Sequence, residues 1–296
     1  MSATEFFLQQ LGNGLILGSA YALVAIGLTL VFGVLGVINL AQGEIFVVGA
    51  FAGLVCLQLG LGLAAALLAG ALCACIVGLL IERYALRPLP ASIDPHIPLV
   101  CTIGAAVVLQ QAIAMIFSTR PQAYPTPAVL AGHVRLGAIQ FDYVNLFIMG
   151  LAIVLMAALA YLVRCTKLGL AIRAVAENPR TAGLLGVNRK FVVAFVFGTS
   201  SALAGFAGVL VGIYFNNIGP FIGIPIAIKA LAAVIFGGLG SILGAVCASL
   251  IIGVAETMTV SYVASSWRDA VSFGVIIVIL LIRPLGLFGT PTVQKV

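Results

Sequence analysis

Long apolar runs, each close to twenty residues in length, follow one another along almost the whole chain. A helix needs about 20 apolar residues to cross the hydrocarbon core of a bilayer, so runs of this length predict membrane spans. Of the 296 residues, 63% are hydrophobic and 7% are charged, whereas soluble domains carry about 25% charged residues. The sequence therefore predicts an all-α fold, a polytopic transmembrane helical bundle.

The limits of the apolar runs predict eight or nine membrane segments within a single domain, 1–296. The predicted spans are 11–34, 40–60, 62–82, 97–117, 143–164, 191–215 and 267–283. One further stretch, 226–260, is too long for one span and contains Gly237, Gly238 and Gly240. Glycine lowers helix stability, so we expect a helix break there, with segments 226–237 and 242–260. Without the break the count would be eight.

The distribution of lysine and arginine predicts the orientation, because cytoplasmic loops carry an excess of both. The loop at about 165–190 is strongly basic, with Glu177 as its one acid, and is expected in the cytoplasm. The alternation of spans then places the N-terminus outside, the loop at about 118–142 outside and the C-terminus in the cytoplasm. Three prolines exclude a regular helix at the start of the external loop, and its "VRLGAIQF" stretch indicates a short hairpin or strand.

No motif for enzymatic, metal or nucleic-acid chemistry is present in the sequence. It lacks the G-x-x-x-x-G-K-[ST] loop that binds ATP phosphates, the G-x-S-x-G elbow and the H-E-x-x-H metal motif. His96 and His133 stand alone, and the six cysteines do not follow zinc-site spacing. The basic residues are spread over loops, which disfavours a nucleic-acid surface. We therefore expect neither an enzyme nor a resident metal or cofactor.

Polar residues at membrane depth are the strongest candidates for function, because they are costly there and mark transport pathways. The stretch "VINLAQGEIF" carries Asn39, Gln42 and Glu44 between two apolar runs. Asn39 and Gln42 are three residues apart and would share a helix face. Either these residues cap the second span at a cytoplasmic turn, with Glu44 as a first-turn acid, or the segment is re-entrant and they line the translocation path.

Four further polar residues lie in the second half of the chain. Lys229 either snorkels to the external surface or faces a polar cavity. Asn216 and Asn217 precede a Gly-Pro pair and indicate a turn, or an external gate. Glu256, near the external end of its span, is expected to be solvated at the mouth.

The basic cytoplasmic loop contains two short predicted helices. Residues 168–175 form an amphipathic pattern, and Asn178 followed by Pro179 is typical of a capped helix start, with the second helix ending near Gly186. The loop is either an ordinary basic connection or a docking element for a cytoplasmic partner, since short helices fit grooves.

Three stretches, in order along nearly the whole chain, resemble one family. They read "GLTLVFGVLGVINLAQGEIFVVGAF", "RAVAENPRTAGLLGVN" and "IKALAAVIFGGLGSILGAVCASLIIGVAET", and they are similar to the LivH-type permeases of branched-chain amino acid ABC transporters. Members commonly read "INFAHGE" in the first stretch, where this chain has Leu40 and Gln42. The resemblance therefore does not separate amino acids from urea or short amides, which other members of the family carry.

The resemblance implies a permease subunit of an ATP-driven importer for branched-chain or other hydrophobic amino acids, working by alternating access in the bacterial cytoplasmic (inner) membrane. It also implies a heterodimer with a LivM-type permease, two cytoplasmic ATPase subunits that bind the ATP, and a periplasmic substrate-binding protein. The residues that would couple the chain to the ATPase are Ala176, Glu177, Asn178, Pro179, Ala182 and Gly186. We expect a large residue at Ala182 or Gly186 to uncouple ATPase activity from transport.

Two other functional classes remain open at this stage. An ion-coupled secondary transporter would need a relay of membrane acids, for which Glu44 and Glu256 are the candidates. A passive channel would carry its solute without ATP.

Overall fold

A computed structural model describes residues 3–89, 96–127, 132–136, 139–283 and 286–288. The helices are α1 (Ala3–Leu35), α2 (Gln42–Gln58), α3 (Gly62–Ile81), α4 (His96–Phe117), α5 (Tyr143–Cys165), α6 (Lys167–Glu177), α7 (Pro179–Leu184), α8 (Arg189–Phe215), α9 (Gly223–Gly237), α10 (Ile242–Tyr262) and α11 (Arg268–Ile282). A π-helical turn, Glu82–Leu86, extends α3, and a short 3-10 turn, Ser265–Trp267, precedes α11. The strands are β1 (Gln122–Ala123), β2 (His133–Leu136), β3 (Ile139–Asp142) and β4 (Asn217–Ile218).

The predicted helical membrane bundle is confirmed. Six helices, α1, α3 with its π turn, α4, α5, α8 and α10, are long and apolar enough to cross a membrane. The shorter apolar helices α2 and α9 have 17 and 15 residues, and α11 has 15. Helices α9 and α10 are separate, with the predicted break between them. The C-terminal residues from 289 onward, which were predicted to lie in the cytoplasm, are outside the described residues.

The first helix begins earlier than predicted, at Ala3 instead of residue 11. Its first turns contain polar residues that the apolar pattern excluded from the span. These side chains pair across one turn: Gln9 Nε2 donates to Asn13 Oδ1 at 3.5 Å, and Asn13 Nδ2 donates to Gln10 Oε1 at 3.3 Å. Residues three and four apart on a helix are neighbours, so the polar turns continue the helix.

The core forms where helices approach through glycines. A Cβ atom built on Gly49 of α2 would collide with the backbone of Gly205 of α8, and one on Gly205 would collide with Gly70 of α3. Gly14 and Gly18 bring α1 against the backbone of α10 in the same way. Small residues permit such close helix packing in membranes.

The chain turns between α9 and α10 at the glycine-rich stretch. Helix α9 ends at Gly237, and Gly238 and Gly240 have φ angles of +101° and +85°, which favour glycine. The turn leaves two backbone carbonyls of α9 free, and both accept hydrogen bonds from the segment after α11. The N–H of Leu287 donates to the carbonyl of Phe236 at 2.9 Å, and the N–H of Phe288 donates to that of Gly237 at 3.0 Å. A broken helix inside a membrane protein needs such compensation.

The loop between α4 and α5 carries two small antiparallel pairs. Strands β2 and β3 pair as a hairpin, with Arg135 opposite Gln140, where the sequence predicted a hairpin or strand. The tip of that hairpin, 137–138, lies outside the described residues. Strand β1 pairs with β4, so the loop is tied to the end of α8.

Candidate translocation path and coupling helices

The segment between α1 and α2 folds back into the helix bundle. Gln42 Nε2 donates to the carbonyl oxygen and to the hydroxyl Oγ of Ser200, both at 3.0 Å. Ser200 is the twelfth residue of α8, about 16 Å along its axis from the first residue at 1.5 Å per residue. Helix α2 therefore begins inside the bundle. This position within the bundle favours the re-entrant interpretation over a turn between two spans.

Asn39 lies outside helix α2, which begins at Gln42, so the expected shared helix face does not exist. Asn39 Oδ1 accepts a hydrogen bond from the N–H of Ala41 at 3.2 Å, and its Nδ2 donates to Gln42 Oε1 at 3.4 Å. The N–H of Leu40 donates to Thr102 Oγ1 of α4 at 3.3 Å. These hydrogen bonds satisfy polar groups of the irregular backbone between α1 and α2.

Glu44 lies in the first turn of α2, where an acid was expected, and is buried. Gln110 Nε2 of α4 donates to its Oε1 at 3.4 Å, while Oε2 has no hydrogen-bond partner among the described residues. Gly223, the first residue of α9, lies directly against this carboxylate, and Gly43 lies against Gly223. The beginnings of α2 and α9 thus meet around one carboxylate inside the bundle. We call Asn39, Gln42, Glu44, Thr102, Gln110 and Ser200 the re-entrant cluster.

A second polar group, the ion cluster, consists of the buried Lys229 and Glu256 together with the more exposed Arg268 and Asp269. Lys229 Nζ lies 2.9 Å from Glu256 Oε1 and 2.9 Å from Asp269 Oδ1, and Arg268 Nε lies 3.1 Å from Glu256 Oε1. Lys229 is 6% exposed and Glu256 is 0% exposed. Glu256 is therefore not solvated as expected. Of the two alternatives for Lys229, the structure favours a polar surrounding over snorkelling, because acids of α10 and α11 pair with it.

Sequence reasoning missed three residues of this neighbourhood. They are Tyr21 of α1 and Arg268 and Asp269 at the beginning of α11. The Tyr21 hydroxyl donates to Glu256 Oε1 at 3.2 Å, and Lys229 lies 5.6 Å from the centre of its ring. An Arg-Asp pair directly before an apolar helix, with one Lys and one Glu in neighbouring apolar runs, was the available signal for charge pairing.

Asn216 and Asn217 lie at the end of α8 and follow turn chemistry. Asn216 caps the helix in the left-handed conformation, with φ of +51°, and its Oδ1 accepts a hydrogen bond from Thr126 Oγ1 at 2.7 Å. Asn217 belongs to β4 and pairs with Ala123. Both residues fasten the α4–α5 loop to the bundle.

The basic loop forms the two predicted helices, α6 and α7. Thr166 Oγ1 caps α6 by accepting from the N–H of Gly169 at 3.0 Å. Asn178 Oδ1 caps α7 by accepting from the N–H groups of Arg180 at 3.0 Å and Thr181 at 3.1 Å, and Pro179 is the first residue of that helix.

The surface of α7 differs from the coupling surface expected from the sequence. Ala176, Glu177 and Asn178 are exposed, whereas Ala182 is 2% exposed and packs inside this chain. Leu184 and Leu185 are 88% and 78% exposed. Gly186 has φ of +84°, which a larger residue adopts with strain. The exposed leucines, which sequence reasoning did not select, are therefore the most accessible apolar groups of this loop.

Among the residues that the structure describes, no group of three or more His, Cys, Asp or Glu side chains is arranged to hold a metal ion. Helices α2 and α9 both begin inside an apolar bundle, next to buried polar groups. Such interrupted helices are typical of membrane transport proteins, which form substrate sites from them. The fold and the buried groups thus define a multi-pass membrane permease.

Comparison with known proteins specifies the family. A family model described as "Branched-chain amino acid transport system / permease component" matches residues 10–280. The chain therefore belongs to this family of branched-chain amino acid permeases, and within it to the LivH type.

Three relatives match over nearly the full length. The chain is 37% identical over 302 residues to the high-affinity branched-chain amino acid transport system permease protein BraD of Pseudomonas aeruginosa. It is 36% identical over 303 residues to the LivH protein of Escherichia coli and 36% identical over 305 residues to that of Salmonella typhimurium, both of the same description. In each case the match covers 98% of both chains.

Proposed function

We propose that this chain is the membrane-spanning permease subunit of an ATP-driven importer for branched-chain or other hydrophobic amino acids. The carrying observation is the full-length similarity to permeases described as components of high-affinity branched-chain amino acid transport systems. The partners we propose are a LivM-type permease in a heterodimer, two cytoplasmic ATPase subunits that bind ATP, and a periplasmic substrate-binding protein. The chain would lie in the bacterial inner membrane with its N-terminus outside and its C-terminus in the cytoplasm.

The proposed path uses the polar residues Asn39, Gln42 and Glu44 on one side and Lys229, Asn216 and Asn217 on the other. The support is geometric, since the first three surround the junction of α2 and α9, and the others lie at or near the end of α8. In this proposal, a rearrangement of the bundle at that junction exposes the path alternately to the two sides of the membrane.

The proposed coupling element is the pair α6 and α7, with Ala176, Glu177, Asn178, Pro179, Ala182 and Gly186. Ala182 contributes by holding α7 on its own chain, and the exposed Leu184 and Leu185 supply apolar contact to the ATPase. A charged residue at an apolar docking position loses the buried area and leaves a desolvated charge. Movement of the ATPase would then no longer reach the permease.

The coupling prediction is tested with Leu184→Asp in the reconstituted complex. We expect ATP hydrolysis to continue while ATP-driven uptake of leucine falls by about tenfold, the equivalent of about 1.4 kcal/mol. Leu59→Asp is the matched control, because Leu59 is 70% exposed in the turn between α2 and α3, and it should leave uptake unchanged. Wild-type uptake in Leu184→Asp, or wild-type coupling in Gly186→Trp, would contradict this role for α7.

The function itself is tested by uptake in the source organism. Deleting the gene should abolish uptake of radiolabelled leucine, isoleucine and valine, and restoring it should return uptake. Vesicles containing the complex should require ATP and should be insensitive to a protonophore. Lost uptake of urea or acetamide with intact leucine uptake would favour the amide permeases of the same family. Uptake that follows an ion gradient would favour a secondary transporter, and uptake that needs neither would favour a channel.

A further inference from the structure

A cavity of about 480 Å³ lies beside the ion cluster, at the end of α8 where β4 begins. This volume falls within the range of about 300 to 1,000 Å³ that small-molecule sites occupy. Residues from α1, α8, α9, α11 and the segment after α8 form its wall. The cavity is at the opposite end of α8 from the coupling helices. We call it the cluster cavity.

The wall of the cluster cavity carries the positive half of the ion cluster. Lys229 and Arg268 line it, whereas Glu256 and Asp269 are not among the described residues that do. A ligand inside the cavity therefore has the N–H donors of Lys229 and Arg268 in the wall beside it.

Lys229 and Arg268 have more N–H donors than the acids around them occupy. A lysine ammonium has three N–H donors, and two acids occupy the Lys229 ammonium, each at 2.9 Å. A guanidinium has five donors, and Glu256 is the one acceptor that Arg268 meets within the described part of the chain. The Arg268 Nε lies 3.1 Å from Glu256 Oε1, but its N–H is not aligned for a hydrogen bond. The guanidinium also lies 5.8 Å from the centre of the Phe215 ring, which fixes its plane.

The remainder of the wall is mostly apolar. Phe215, Phe221 and Ile226 line the cavity together with the two cations, and the Phe221 side chain is 47% exposed. Apolar walls with a few convergent polar groups are characteristic of sites that orient an amphipathic ligand. The ligand that fits is one with a carboxylate at one end and an aliphatic chain at the other.

We propose that the cluster cavity binds a free hydrophobic amino acid, with its carboxylate on Lys229 and Arg268 and its aliphatic side chain against Phe215, Phe221 and Ile226. The inference rests on the proposed function and deepens it, because it assigns a position and an orientation to the substrate. A molecule that arrives from the β1–β4 end binds here before it reaches the re-entrant cluster. Urea and short amides lack the carboxylate and are not held.

The test measures binding directly, with the intact transporter complex in lipid nanodiscs and saturation-transfer NMR of free ligands. L-leucine should give a signal that L-leucinamide, which lacks the carboxylate charge, does not give at the same concentration. Arg268→Gln should weaken leucine binding by about tenfold or more, since a hydrogen bond to a charged group contributes about 1.5–3 kcal/mol. Arg268→Lys should restore most of it. Phe221→Ala should weaken leucine binding more than alanine binding.

The control is Arg83→Gln, which removes an exposed arginine from the π turn after α3, away from the cavity. It should bind leucine as the wild type does. Because Glu256 keeps Lys229 and Tyr21 as partners in Arg268→Gln, the folded state of that variant is expected to persist, and its melting temperature checks this. Equal leucine binding in wild type and Arg268→Gln, equal signals from leucine and leucinamide, or no leucine signal at all would overturn the site. ATP-driven leucine uptake, measured after the same purified complex is reconstituted into closed vesicles, reports on the proposed function separately.

Discussion

Glu44 and Glu256 are both buried carboxylates of this bundle, yet their surroundings are opposite. Glu256 meets Lys229, Arg268 and the Tyr21 hydroxyl within 3.2 Å, and these groups join four helices. Glu44 receives one amide hydrogen bond at 3.4 Å and has an oxygen without a partner in the described structure.

The difference separates two uses of buried charge. An acid surrounded by cations fixes the helices that carry them, because removing any member leaves an uncompensated charge. An acid with a free oxygen, placed where two helices begin, contributes little to holding the structure and is available to a passing solute. We therefore expect Glu256 to contribute more to stability and Glu44 to contribute more to transport.

The largest expected effect is on the stability of Glu256→Leu. Breaking a buried ion pair by removing one partner costs about 3–5 kcal/mol, so the variant should show a much lower midpoint in thermal unfolding. The double variant Lys229→Met with Glu256→Leu should recover most of that loss, because Arg268 and Asp269 lie nearer the surface and can pair with each other. A double variant no more stable than the single one would break the comparison.

The next effect concerns the junction of α2 and α9. In Gly43→Ala the new methyl group would collide with the backbone carbonyl of Gly223, and overpacking of this kind costs about 1–3 kcal/mol. Unfolding in denaturant measures the loss. Gly104→Ala is the control, since a Cβ at Gly104 in α4 meets no atom within 4 Å, and there the substitution should stabilise by about 0.5–1 kcal/mol. Equal stability in the two variants would mean that the junction is looser than the structure shows.

The smallest effect on stability is expected for Glu44→Gln, within about 1 kcal/mol of the wild type, because one weak hydrogen bond is exchanged for another. Leucine uptake should nevertheless fall by about tenfold, which corresponds to about 1.4 kcal/mol. Glu256→Gln is the matched substitution and should show the reverse balance, with the larger loss in melting temperature. If both variants lose the same stability, Glu44 is a structural acid like Glu256.

Much of the fold could be predicted from the sequence, because membrane helices are recognised by the length and hydrophobicity of their apolar runs. The predicted limits 62–82, 97–117 and 143–164 agree within a few residues with α3, α4 and α5. The caps at Asn178 and Pro179 were accessible too, since a cap depends on neighbours in sequence. The start of α1 was missed because its polar residues pair with one another along the helix, which a hydropathy pattern does not detect.

For the candidate sites, the sequence identified individual residues but not their partners or their burial. Lys229 and Glu256 were each visible as polar residues in apolar runs, but their pairing spans 27 residues and joins two helices. Ala182 was selected from its motif, while its burial and the exposure of Leu184 depend on how α7 packs. Residue type is local, whereas burial and partners are properties of the assembled bundle.

By itself, the sequence determined that this chain is a multi-pass helical membrane protein, where most helices begin and end, and which polar residues stand out, because a bilayer imposes length and polarity on each span independently. The tertiary structure decided the rest: that α2 begins beside Ser200 inside the bundle, that Gly43 and Gly223 bring two helix beginnings together, and that Lys229 is held by acids from α10 and α11. Depth and pairing are set by contacts between residues far apart in the chain, and such contacts leave no periodic pattern in any one segment.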